Sequence, residues 1–196
     1  MKTNILFSFL IGATLLPVLG FSSENLNVSI RNVESRKAVV EVTNKAEKAF
    51  EVTIVDEMGQ SIYSHKTNEI KPGFNKKFDF SGLEKGEYRL SVKTDGGSKE
   101  QIITIGADGI TYGKEITKSD PFFIYNNDRL TLSFINHQNE MTKFFLYEND
   151  ELVWEKDLNS ASLIKKGFDL SNLPRGQFKA VLTAGDEVYE YELSRQ

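Results

Sequence analysis

The sequence predicts an all-β protein of two tandem antiparallel β-sandwiches behind a short export leader. Three observations predict it. Apolar residues recur at every second position along many short runs, turn-forming residues punctuate those runs, and one stretch of the chain is written twice.

Residues 1–20 read as a signal peptide. Lys2 gives a positive start, and the run Ile5 to Gly20 is apolar apart from Ser8, Gly12, Thr14 and Pro17. Val18-Leu19-Gly20 puts small or β-branched residues where a signal peptidase needs them, with Phe21 as the first mature residue. The run falls short of the roughly 20 residues that span a bilayer, and no later segment is apolar enough to do so. The mature chain is therefore expected without a transmembrane segment. It carries no cysteine, so neither a lipid on a leader cysteine nor a disulfide is possible. An exported chain that relies on its apolar core alone fits a Gram-negative envelope, with periplasm, outer envelope and medium all open as destinations. With 24 basic against 28 acidic residues, the net charge is -4 and the two signs are interspersed. Nucleic acid, which needs a concentrated basic surface, is excluded as a partner.

In the first copy, taken as residues 21–107, the alternating sets are Leu26/Val28/Ile30, Ala38/Val40/Val42, Phe50/Val52/Ile54, Tyr88/Leu90/Val92 and Ile103/Ile105. In the second, taken as 108–196, they are Leu130/Leu132/Phe134, Phe178/Ala180/Leu182 and Tyr189/Tyr191/Leu193. This period belongs to strands with one buried and one wet face. Turns fall at Asp56–Gly59, Lys71–Gly73, Asp95–Gly97, Glu148–Asp150 and Ala184–Asp186. The join is read at Gly106-Ala107-Asp108-Gly109, with residues 110–120 as an added strand or linker.

The repeat is explicit. Phe78 to Val92 aligns with Phe168 to Leu182 at an offset of 90, Ile54-Val55 and Gly59–Tyr63 align with Phe145-Leu146 and Asp150–Trp154 at 91, and Val40–Asn44 aligns with Leu132–Asn136 at 92. The shared core, Phe-Asp-(Phe/Leu)-Ser-x-Leu-x-x-Gly-x-(Tyr/Phe), assigns structural work to six residues. Leu83 and Leu173 pack after a turn, Gly86 and Gly176 permit a close approach, and Tyr88 and Phe178 plug one end of each core.

This piece, with the preceding strand, Asp-x-x-Gly turn and strand, resembles the C-terminal sorting domain of the type IX secretion system and related Ig-like domains of secreted bacterial proteins. The first copy, Val52 to Ile105, keeps the whole pattern. The second, Lys143 to Leu193, has Asp150 for the turn glycine and Phe178 for the tyrosine. The resemblance implies two Ig-like or fibronectin III-like sandwiches and, as one functional alternative, a role in sorting for secretion.

Catalytic chemistry is not in view. His65 and His137 stand at non-equivalent places, and no H-x-x-x-H, G-x-S-x-G or phosphate-loop pattern occurs. The carboxylates Asp56/Glu57 and Glu148/Asp150 fall in hairpin turns. Asp95, Asp108 and Asn126-Asn127-Asp128 offer oxygen ligands without a calcium-loop spacing. No catalytic residue, cofactor or metal is expected, and the chain is read as a non-enzyme. Trp154, with Tyr147 across a hairpin, is the candidate ligand platform, while Phe144-Phe145 and Trp154 itself also suit a core. The first expectation is a module acting through protein–protein contact, with edge strands as the contact surface. A polysaccharide-binding or adhesive module on Trp154 and Tyr147 is the first alternative, and a secretion-sorting protein the second.

Overall fold

The computed structural model describes residues 26–45, 48–67, 69 and 72–196; the signal peptide read at 1–20 lies outside them. These residues fall into two compact units, one running to Ser119 and the other from Asp120 to Gln196.

In the first unit the alternating sets become β1 (Leu26–Glu34), β2 (Lys37–Asn44), β3 (Phe50–Asp56), β4 (Ser61–Lys66), β5 (Gly73–Asp79), β6 (Gly86–Thr94) and β7 (Gly97–Ile105). They make two antiparallel sheets, β1-β2-β5 and β4-β3-β6-β7. The inward residues of both sheets form one core, with Ala38, Val40, Val52, Ile54, Leu90, Val92 and Ile103 at most 1% exposed. The period-two pattern is thus the cause of the sandwich: each strand has one apolar face, and two such faces leave water only by meeting.

The second unit repeats the plan with β10 (Phe122–Asn126), β11 (Arg129–Ile135), β12 (Thr142–Glu148), β13 (Glu151–Asn159), β14 (Leu163–Asp169), β15 (Gly176–Ala184) and β16 (Glu187–Arg195). The sheets are β10-β11-β14 and β13-β12-β15-β16. Leu130, Leu132, Phe144, Ala180 and Leu182 are fully buried between them. Two type I′-like hairpin turns, Asn127-Asp128 and Asn149-Asp150, hold both central residues at positive φ, where Asn and Asp are tolerated. Each unit is a three-on-four Ig-like or fibronectin III-like β-sandwich.

Two expectations need correction. Residues 108–119, read as the start of the second copy, pair with the first unit: β8 (Ile110–Tyr112) and β9 (Ile116–Ser119) both lie antiparallel on β7. Ile110 is 6% exposed within the first core, and the Asn32 side chain donates to its carbonyl at 3.1 Å. Gly109, at φ +134°, makes this fit: a Cβ there would stand 2.5 Å from the Ser35 carbonyl oxygen.

The second correction concerns phase. Ile54 pairs with Leu90, and its buried counterpart Leu146 pairs with Ala180, so β3 and β12 correspond at an offset of 92, not 91. The lost residue lies in the hairpin, because Tyr63 and Trp154, opposite Ile54 and Leu146, remain 91 apart. Both hairpins carry a bulge, at Ile62 and at Val153. A one-residue slip moves a side chain to the other face of a sheet. Phe144 therefore faces the core, while Phe145, read with it as a core residue, faces outward.

Phe144→Ala is expected to destabilise the chain by about 3–5 kcal/mol. Phe145→Ala should cost less, about 1–2 kcal/mol, because its ring lies only partly buried on the outer face of the sheet. Urea unfolding of the two variants measures the difference.

Candidate functional site

The residues of the repeated motif form a corner between the two sheets of each unit. Asp79 Oδ1 accepts from the Ser81 amide at 3.0 Å, and Asp169 Oδ1 from the Ser171 amide at 2.9 Å. The Leu83 and Leu173 amides donate to the carbonyls of Phe80 and Leu170. Leu83 and Leu173 then lie against the two cores. Gly86 accommodates a carboxylate: a Cβ there would sit 3.1 Å from Glu57 Oε1, which accepts from the Glu87 amide at 2.8 Å. Gly176 faces Glu148 in the same way, at 3.4 Å. Tyr88 and Phe178 follow, 7% and 3% exposed, and the Tyr88 hydroxyl donates to the Glu84 carbonyl at 3.1 Å.

Trp154 and Tyr147 do not form a platform. Trp154 lies opposite Leu146 and packs inward, its ring centroid 5.6 Å from Phe144 and 5.4 Å from Phe168. Tyr147 is on the other face of β12. The bulge at Val153 sets the hairpin partners so that the two rings point to opposite sides of the sheet.

What the outer face of β13-β12-β15-β16 does present is a patch not foreseen from the sequence. Phe145 and Tyr147 stand side by side, centroids 6.4 Å apart and planes 33° apart. Val181, opposite Phe145 on β15, is only 7% exposed although it lies outside the core. Lys179 Nζ lies 5.9 Å from the Tyr147 ring centroid and 3.4 Å from Asp150. Leu152, Val153 and Val188 add exposed apolar area. The equivalent positions of the first unit are Thr53, Val55 and Ser91. The sequence carried one signal of this patch: Phe144-Phe145-Leu146-Tyr147 and Ala180-Val181-Leu182 are apolar on both phases, as in a strand with two covered faces.

Three aspartates are engaged structurally. Asp128 is held by Arg195, Nε to Oδ1 at 2.9 Å and Nη2 to Oδ2 at 3.3 Å, and by the Tyr125 hydroxyl at 3.0 Å. The same guanidinium donates to the carbonyls of Leu173 and Ser171, tying the end of β16 to the motif corner. The Arg195 hydrogen bonds, then that of Tyr125, lower the Asp128 pKa. Asp79 and Asp169 are lowered by their bonds from Ser81 and Ser171. Asp128, one of the oxygen donors considered for calcium, thus already has a cation beside it. Among the described residues no three His, Asp or Glu side chains converge as a metal site, and no helix is long and apolar enough to cross a membrane. His65 lies in β4 with its ring 5.4 Å from Phe74, and His137 is exposed in a turn.

The described residues form two tandem Ig-like or fibronectin III-like sandwiches. Residues 22–105 match the family model of the secretion system C-terminal sorting domain, which associates the chain with bacterial secretion. The match falls on the copy that keeps the Asp56–Gly59 turn and Tyr88. No curated protein matches the chain. Among solved structures it is similar to a two fibronectin type III domain segment of chicken tenascin (10% identity, 86% of this chain and 97% of that one, TM-score 0.32). It is also similar to the central fibronectin III array of RIM-binding protein (10%, 91% and 100%, TM-score 0.28) and to the BSP domain of a biofilm-associated protein (8%, 87% and 29%, TM-score 0.26). Those likenesses add nothing to the strand topology above.

Two outcomes follow from this geometry. Trp154 fluorescence should be blue-shifted, resist iodide quenching and stay unchanged on addition of soluble polysaccharide. The three aspartates with depressed pKa stabilise the fold fully above the unfolded value of about 3.9 and lose that contribution as pH falls through their folded values. Arg195→Gln should therefore lower stability at neutral pH and flatten its fall between about pH 5 and pH 2, as read by urea midpoints across that range.

Proposed function

We propose that the chain is an exported, non-enzymatic module acting by protein–protein contact, with the outer face of β13-β12-β15-β16 as its contact surface. The observation that carries this reading is the Phe145, Tyr147 and Val181 patch, set where the sister unit has Thr53, Val55 and Ser91. Core demands are the same in both copies, so they do not account for two rings and a valine on the solvent side of one. Aromatic residues on a flat face, with Lys179 and Asp150 at the border, have the composition of a contact centre inside a polar rim. The exposed aliphatic neighbours Leu152, Val153 and Val188 favour protein over polysaccharide.

A second reading, a role in sorting for secretion, is supported by the family match at 22–105. The two readings separate on the product that leaves the cell. Intact mass of the native protein in periplasmic, outer-membrane and medium fractions should give a chain from Phe21 to Gln196. A product cut between Gly106 and Asp120 would favour sorting instead. A photo-crosslinking residue at Phe145 should trap a defined protein in intact cells, and one at Glu84, on the motif corner, should not; equal labelling at both would count against the contact face.

A further inference from the structure

The two units close the same sheet edge differently. In the first, the outer edge of β7 is covered by the chain's own segment: β8 pairs at Ile103–Ile105 and β9 at Gly97–Glu100. The Gly113 amide donates to the Ile102 carbonyl at 2.9 Å. Charge accompanies the pairing, with Lys118 at 3.3 Å from Glu100 and Glu115 at 2.7 Å from Lys99. The counterpart edge, β16, has no strand on it among the described residues. Ser98, Glu100, Ile102 and Thr104 of β7 correspond to Val188, Glu190, Glu192 and Ser194 of β16, because both strands pair with their inner neighbour at the same offset. All four of those β7 residues are partly or wholly covered, and all four on β16 are exposed.

The hairpin turn at Gly185-Asp186 makes Ala184 and Glu187 its closing pair. The alternation of an antiparallel ladder then directs the backbone N–H and C=O of Val188, Glu190, Glu192 and Ser194 away from β15. The Ile102 carbonyl, bound by Gly113, shows the same direction on β7. Among the described residues, the other edges, β1, β4 and β5 and their counterparts β10, β13 and β14, carry no added strand in either unit.

From this we infer that β16 is an acceptor for an extended, lysine- or arginine-bearing segment of a partner protein, which adds to the sheet as β8 and β9 add to β7. The occupant is basic because Glu190 stands where Glu100 meets Lys118, and Glu192 adds a second exposed carboxylate two residues on. A second copy of this chain is a poor occupant: antiparallel pairing of two β16 strands about Tyr191 sets Glu190 opposite Glu192 twice, and like charges directly opposite destabilise a pair. The inference rests on the protein-contact reading and adds to it the conformation and charge of the partner.

The test uses the full exported chain and a labelled peptide of about ten residues alternating lysine and threonine, β-branched on one face and basic on the other. The peptide should bind saturably, and amide exchange should slow at Val188, Glu190, Glu192 and Ser194. The Glu190→Lys/Glu192→Lys double variant should weaken binding at least about tenfold and bind a glutamate–threonine peptide instead. Glu190→Pro removes an outward N–H without touching the β15 ladder, and should also abolish binding. Protection elsewhere, binding indifferent to these substitutions, or no binding at all would overturn the inference, as would concentration-dependent dimerisation through β16. If the photo-crosslinker at Phe145 still traps a protein when the peptide fails, the contact face stands and only the edge acceptor falls.

Discussion

Both units depend on one constraint, the register of the central pair in each four-stranded sheet. Ile54 against Leu90 and Leu146 against Ala180 decide which side chains face inward along β3, β6, β12 and β15. With no cysteine in the chain, nothing covalent corrects an error. A slip of one residue would expose the buried set and bury Arg89 and Lys93, or Lys143 and Lys179. The repeated corner guards this register from outside the sheet. Asp79 and Asp169 fix the chain as it leaves β5 or β14, and the leucine and the aromatic residue that follow enter the core at set positions. A buried asparagine does similar work at the far end: Asn44 bonds the Lys48 carbonyl, and Asn136 the Glu140 carbonyl and amide.

Against that common frame, the differences between copies lie outside the cores. The flank between β1 and β7 is closed by Ile110, Tyr112 and the polar reach of Gln101 to the Gly113 carbonyl. The same flank of the second unit is closed by rings, Phe123 stacked on Tyr191 at 5.3 Å and Phe134 beside Tyr189 at 5.8 Å. Aromatic pairs seal the gap between sheets with side chains alone. They leave the backbone edge of β16 uncovered, whereas an added strand covers gap and edge together. One duplicated plan therefore yields a finished edge in one unit and an open one in the other.

Much of this was legible in the sequence, because period two and a repeated corner are local signals. The strands built on Val40/Val42, Tyr88/Leu90/Val92 and Phe178/Ala180/Leu182 follow directly from alternation. Three features were not legible, each for a physical reason. Phe145 reads as a core residue because the hairpin of the second copy is one residue shorter, and a gap inside a turn leaves no mark on composition. Trp154 and Tyr147 are near each other in a hairpin, while the bulge at Val153 that fixes their faces depends on pairing rather than on any residue type. Residues 110–120 read as an added strand or a linker; that the added strands belong to the first unit rests on backbone bonds to β7, and backbone bonds carry no sequence signature.

The acidic character of β16 bears on why such an edge persists. A long exposed strand is a template for unwanted pairing, and this chain, without cysteine, has no disulfide to limit it once partly unfolded. Charges placed along the edge keep like edges from joining, because the identical strand of another copy always brings the same sign. That protection is selective: it repels a glutamate-bearing strand and leaves a lysine-bearing one unopposed. Lys118 on Glu100 shows that this fold already satisfies a glutamate on the equivalent strand with a lysine from an added strand. The same two carboxylates, Glu190 and Glu192, can therefore exclude self-association and admit a basic partner without any change in the backbone that presents them.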